Sequence, residues 1–151
     1  MSNEMKPSSI RKQFSASLDS LAPVRDFLSE HGTNAGLTKQ QVYKLCLAVD
    51  EVVSNIIMYG YANTHIQNPT ITVSFTKEDS HITVVTEDEA IPFNPLEKTL
   101  PQQEELSLPM EERSIGGLGI MLAIQNVNDF SYTFKDGKNR NKFVILLSPH
   151  N

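Results

Sequence analysis

LAVDEVVSNIIMYGY, residues 47–61, is the centre of the strongest helical pattern in the chain. Upstream, Thr38 is a natural N-cap, and Gln41 three residues later completes a capping box. Val42, Leu45, Cys46, Val49, Val52, Val53, Ile56 and Ile57 then recur at the i, i+3, i+4, i+7 spacing of one helix face. Stepping round the helix they fill an arc of about 140°, wide enough to face a core. Gly60 is expected to end the helix. On the other side Glu51 and Asn55 stand one turn apart among Leu47, Ala48, Met58 and Tyr59, with Lys44 the only nearby cation. Two polar groups inside a second apolar face fit the lining of a pocket. The spacing alone also fits an ordinary helix-surface pair.

On the N-terminal side, Ile10 to Ala16 alternates as a short strand. Ser17 or Asp19 is expected to cap a helix running to about Glu30, with Pro23 in its first turn and Gly32 and Gly36 in the loop beyond. On the C-terminal side, TITVSFT (70–76) and HITVVT (81–86) are β-branched runs joined by the polar turn 77–80, the pattern of an antiparallel hairpin. Segment 94–115 holds three prolines and five glutamates. Compact domains connect their elements with about 4–6 residues, so a segment this long reads as a lid or as disorder. Gly116-Gly117-Leu118-Gly119 opens a short helix from Ile120 to about Val127. A second hairpin follows, Phe130–Lys135 and Lys142–Leu147, turning through Asp136-Gly137. The order predicts a single α/β domain over residues 1–151. Its form would be an α+β two-layer sandwich with helices on one face of a mixed, mostly antiparallel sheet.

Composition narrows the function. The 151 residues carry 13 Lys and Arg against 18 Asp and Glu, a formal net charge of −5. Nucleic-acid binders carry a basic stripe to neutralise phosphates, so direct nucleic-acid binding is not expected. Cys46 is the only cysteine, which excludes an intrachain disulfide, and no Cys/His cluster has zinc spacing. It falls on the apolar stripe and reads as a small core residue. The residues from Val52 to Thr76 lack Asp, Glu, Lys and Arg but are too polar for a membrane span. The opening residues have no apolar core of a signal peptide. A cytoplasmic protein with no membrane association is the expectation.

Two further motifs bear on chemistry. Glu87-Asp88-Glu89-Ala90-Ile91-Pro92-Phe93 closes a strand; Asp88 can accept a hydrogen bond from a ligand amino group beside an apolar slot shaped by Pro92 and Phe93. Taken alone, an acidic strand exit is the commoner reading of such a run. The glycines at 116, 117 and 119 allow close backbone approach, and a helix N-terminus offers N–H groups to an anion. Structural tight turns are the commoner use of such a run, and no Lys-Ser or Lys-Thr follows to make a Walker loop.

The order of these pieces is more specific than any one of them. A Glu-x-x-x-Asn helix, a strand ending in Asp with Pro-Phe shortly after, a long loop and Gly-Gly-Leu-Gly-Ile together resemble the GHKL ATPase superfamily and its Bergerat fold. LAVDEVVSNIIMYGY (47–61), EDEAIPFNPLE (87–97) and GGLGIMLA (116–123) look like the bacterial anti-sigma-factor serine/threonine kinases, over about residues 8–148. The resemblance implies ATP and Mg²⁺ as cofactors. It makes Asn55 the magnesium ligand, Glu51 the base at the attacking hydroxyl, and Asp88 the acceptor of the adenine amino group, with Ala90, Pro92 and Phe93 around the base. Gly116, Gly117, Leu118, Gly119 and Ile120 would wrap the polyphosphate, and 94–115 would be the ATP lid, with Arg113 a phosphate contact. It also implies a homodimer that phosphorylates a small anti-sigma antagonist protein and binds a sigma factor in a partner switch. Two positions depart from the family pattern: Ala90 replaces a usual glycine and Tyr59 a common histidine. Ala90 leaves open an alternative, a nucleotide-sensing regulator with weak or no transfer activity.

Overall fold

The computed structural model describes residues 8–62, 64–97 and 116–148. Five strands form one sheet in the order β1-β2-β3-β5-β4, with β1 Ser8–Ser15, β2 Thr70–Lys77, β3 His81–Asp88, β4 Asp129–Lys135 and β5 Lys138–Leu146. All four pairings are antiparallel, so the described sheet has no parallel component. Helices α1 (Leu21–Ala35), α2 (Lys39–Asn55) and α3 (Gly116–Ile124) accompany it.

The hairpin β4–β5 turns on Asp136 and Gly137, both at positive φ (56° and 77°), the backbone that matches strand twist in a two-residue turn. Strand β5 begins at Lys138, four residues earlier than its apolar pattern suggests. The difference matters because it draws Asn139 and Asn141 into the sheet.

Helix α1 is preceded by a single 3-10 turn, Leu18–Ser20, and its N-cap is Ser20 rather than Ser17 or Asp19; no side chain caps it. It runs on past Glu30 to Ala35 and stops at Gly36, whose φ of 105° suits the left-handed C-terminal position. Gly32 therefore lies inside the helix. A Cβ there would stand 3.2 Å from Leu37 Cδ1 and 3.3 Å from Val42 Cγ2, so close packing against α2 explains a glycine that resembles loop punctuation.

The capping box at α2 is present. The Gln41 N–H donates to Thr38 Oγ1 (3.1 Å) and the Thr38 N–H to Gln41 Oε1 (3.0 Å). Gln41 Nε2 also donates to the Leu146 carbonyl (2.8 Å), tying the helix start to β5. Leu45, Cys46, Val49, Val52, Val53 and Ile56 are buried, as the stripe requires. Ala48, on the other flank, is also fully buried, and α3 packs against α2. Fully burying side chains of this kind contributes roughly 1.5–3 kcal/mol each. After Asn55 the helix widens into a π turn, Ile56–Gly60.

The inner sheet face changes character along its length. On adjacent rungs of β3 and β5, Ile82 opposes Ile145 and Val84 opposes Phe143; then Thr86 opposes Asn141 and Asp88 opposes Asn139. All eight are buried. The apolar half carries the core, with Phe130 and Phe143 edge-to-face at 5.1 Å. The polar half lies toward the end of α2. On the outer face Glu87 sits among Arg11 (3.4 Å), Arg140 (3.3 Å) and Lys138 (3.7 Å).

A Cβ on Gly60 would meet the Ala90 methyl at 3.0 Å. Overpacking of that kind costs about 1–3 kcal/mol, against about 1 kcal/mol gained by replacing a helical glycine with alanine. Urea unfolding should show Gly60→Ala less stable than the parent, and the same change neutral or stabilising in an Ala90→Gly background. Equal effects in both backgrounds would show that the contact is slack.

Candidate functional site

A pocket of about 460 Å³, its open mouth included, lies between the end of α2, the β3 exit and the start of β5. Val52, Asn55, Ile56, Tyr59 and Gly60 line it from the helix and its π turn; Asp88, Ala90, Ile91, Phe93 and Pro95 from the strand exit; Asn139 and Asn141 from β5.

Asp88 is the buried charged group of this pocket. Its Oδ1 accepts from the Ala90 N–H (3.0 Å) and from Asn139 Nδ2 (2.9 Å). Its Oδ2 is buried and has no hydrogen-bond partner. A buried acceptor left unpaired costs about 1–3 kcal/mol, more when charged, which is what a site awaiting a donor looks like. Burial pushes the carboxyl pKa up; the Asn139 and Ala90 hydrogen bonds pull it down and the Glu87 charge raises it further.

Asn139 holds this corner together. Besides Asp88, its Nδ2 donates to the carbonyls of Ala90 and Ile91 (3.1 Å each). Its Oδ1 accepts from the Phe93 N–H (3.1 Å) and from the Tyr132 hydroxyl, which also accepts from the Phe93 N–H (3.2 Å). Tyr61 braces the other side: its hydroxyl donates to the Thr70 carbonyl (2.9 Å) and accepts from the Glu89 N–H (2.8 Å). Tyr61 does not stand out in the sequence as a site residue, and the family resemblance sets Asn139, with Asn141 and Lys142, only loosely near the phosphates and not on Asp88. Asn139 hides in a run of polar residues, and Tyr61 reads as part of a helix end.

Asn55 is 9% exposed, and its Nδ2 donates to the Glu51 carbonyl at 2.7 Å, which leaves the amide oxygen as its free end. An amide oxygen is a hard, neutral ligand suited to Mg²⁺ that keeps most of its shell from phosphate and water. Among the described residues no cluster of three His, Cys, Asp or Glu forms a cation cage. Glu51 stands one turn before Asn55, half-buried, outside the pocket lining. Burial first, and the Asp50 charge second, push its carboxyl pKa up.

The remaining expected site residues separate. Ala90 and Phe93 line the pocket; Pro92 is exposed beside it. The backbone of Gly116, Gly117, Leu118 and Gly119 forms the first turn of α3, and the Ile120 side chain is buried in the core instead of facing the pocket. Of the expected lid, 94–97 is described, with Pro95 on the pocket wall; 98–115, including Arg113, lies outside the described residues. Cys46 is buried near Ser29 and Arg25, and burial raises its thiol pKa, as a core cysteine requires.

Residues 14–145 match the histidine kinase-like ATPase domain, and the chain belongs to that family. Among solved structures it is similar in fold to the RsbU and RsbW domains of Rv1364c from Mycobacterium tuberculosis. The TM-score is 0.64 at 17% identity, over 94% of this chain and 33% of that one, so it spans about a third of that protein's chain. Comparison with curated proteins gives no match. Among the described residues no helix is long and apolar enough to cross a membrane.

Replacing Asp88 by Asn keeps the acceptor for Ala90 and Asn139 and removes a buried charge. Because the folded-state pKa is raised, the native state holds its proton at pH values where the unfolded chain has lost it. Asp88 therefore costs stability progressively as pH rises from about 4 through its folded pKa. Asp88→Asn should be on the order of 1 kcal/mol more stable at pH 7, with the gap closing in acid. Thermal melts at several pH values test this; a variant less stable at pH 7 would contradict it.

Proposed function

We propose that the chain is an ATP- and Mg²⁺-dependent serine/threonine protein kinase of the anti-sigma type. It would act on a small antagonist protein and bind a sigma factor in a partner switch. The observation that carries the reading is the unpartnered Asp88 Oδ2 in the same pocket as Asn55, within a chain of the histidine kinase-like ATPase family. The RsbW domain named in the structural neighbour is consistent with it.

In this reading Asp88 accepts the exocyclic amino group of adenine, with Ala90 and Phe93 against the base. Asn55 presents its amide oxygen to the cation. Bound Mg²⁺ would offset phosphate charge during transfer. Glu51 takes the proton of the attacking serine or threonine hydroxyl as its oxygen bonds the γ-phosphorus and ADP leaves. Its raised pKa makes it a stronger base than an exposed glutamate, at the price of needing a higher pH to be ionised. Gly117 and Gly119 are proposed to approach the polyphosphate through their backbone. The protein is expected to act as a homodimer in the cytoplasm.

A second reading, nucleotide sensing without transfer, draws on the Ala90 methyl packed against Gly60 and on Glu51 standing outside the pocket lining.

The test is phosphate transfer from labelled ATP to a candidate antagonist. Glu51→Ala should lower transfer by about 10²–10⁴-fold with ATP affinity kept. Asp88→Asn should weaken ATP binding by about 10–100-fold, the loss of one charged hydrogen bond. The rate should rise with pH through an apparent pKa above the ordinary glutamate value of about 4.3. Tight ATP binding without transfer to any partner favours the sensor; transfer retained in Glu51→Ala refutes its role as base.

A further inference from the structure

Strands β1 and β4 are the two edges of the described sheet. An edge presents a row of backbone N–H and C=O groups that another chain can pair with, unless charge, proline or a bulge blunts it. β1 is blunted, since Arg11 and Lys12 stand at its middle. β4 is not. Phe130-Ser131-Tyr132-Thr133-Phe134 runs without charge, proline or glycine between Asp129 and Lys135. In a two-residue hairpin the pair flanking the turn, here Lys135 and Lys138, exchanges ladder hydrogen bonds, and bonded pairs then alternate along the strands. Thr133 and Ser131 therefore bond to β5, while the N–H and C=O groups of Phe130, Tyr132 and Phe134 face the open edge. Among the described residues no backbone group pairs with them. Phe134 is 45% exposed.

We infer that β4 is a docking edge, at which an extended acidic segment of a partner protein adds as a sixth strand. The charge beside the edge selects this occupant. Ser131 and Thr133 are exposed on the outer face, and directly opposite them on β5 stand Lys142 and Arg140. The four line one open depression. Arg140, Lys138 and Arg11 share the single carboxylate of Glu87, and Lys142 and Lys135 enter no ion pair among the described residues. Cations thus exceed acids here, in a chain whose net charge is −5. A strand paired with β4 lies about 4.8 Å from it and about 10 Å from β5. Its side chains opposite Ser131 and Thr133 point to the outer face, and those two residues are short enough for a glutamate to reach over them to Lys142 and Arg140. The alternate side chains fall on the inner face beside Tyr132 and Phe134, where apolar groups fit. Asp129 disfavours an acid at the start of the strand. The ligand this edge fits alternates acid and apolar residues, and backbone pairing makes it a polypeptide instead of another polyanion. The inference does not depend on the nucleotide reading above.

The probe is a fluorescein-labelled peptide of alternating glutamate and valine, matched to the 7 residues of β4, with a lysine–valine peptide of the same length as control. Titrated into the full chain, the acidic peptide should bind, more weakly as salt is raised, and the basic one should not. Amide hydrogen exchange should slow at Phe130, Tyr132 and Phe134 when the acidic peptide is bound. It should change little at Ser131 and Thr133, whose N–H groups are already bonded. Lys142→Glu, at an exposed residue, should lower the affinity roughly three- to tenfold. Phe134→Pro removes one edge N–H and should weaken binding too; if it does not fold, Lys142→Glu carries the test. No binding of the acidic peptide, equal binding of both peptides, or binding without the alternating protection overturns the inference. So does protection of the same three amides in the free protein that grows with its concentration, because a second copy then covers the edge.

Discussion

The buried hydrogen bond between Asp88 and Asn139 is the constraint around which the pocket is built. Burying a carboxylate is costly unless its oxygens are paired, and here one is and one is not. Asn139 supplies the pairing and in the same stroke fixes the carbonyls of residues 90 and 91 and the N–H of Phe93. The strand exit thus has one conformation, and the unpaired oxygen has one direction. Rigidity comes from the neutral amide; the unsatisfied bonding capacity comes from the acid.

The rest of the fold serves that corner. The apolar rungs of β3 and β5 and the buried stripe of α2 form the core, while the polar rungs begin where α2 reaches Asn55. There the helix widens into a π turn, a feature common at functional sites, and Gly60 brings its backbone against Ala90. Helix and strand exit approach closely because neither carries a bulky side chain at the contact. The methyl of Ala90 occupies part of the space that a glycine would leave open, and a Cβ added at Gly60 would stand 3.0 Å from it.

Much of this was legible in the sequence. Period 3.6 identified α2 and its capping box because its apolar positions are unbroken over four turns, and period 2 identified β2 and β3. Glu51 and Asn55 could be singled out as polar groups within an otherwise apolar helix face; Asp88, inside the acidic run 87–89, gained its meaning only from the order of the motifs around it. Asn139 and Asn141 were harder: Lys138-Asn139-Arg140-Asn141 is polar on both faces, so alternation cannot show a strand whose inner face is itself polar. The π turn leaves no compositional mark, since it changes hydrogen-bond register without changing residue type. Gly32 looked like a loop residue because close helix packing and chain reversal both select glycine. Ile120 follows the glycine run in sequence, but the direction of α3 turns its side chain into the core.

The most direct test of the account is a crystal structure of the protein with Mg²⁺ and a non-hydrolysable ATP analogue. The account predicts the adenine amino group within hydrogen-bond distance of Asp88 Oδ2, the oxygen that has no partner within the protein. A base bound elsewhere, or a nucleotide-bound structure in which Asp88 Oδ2 is still unpaired, would contradict it.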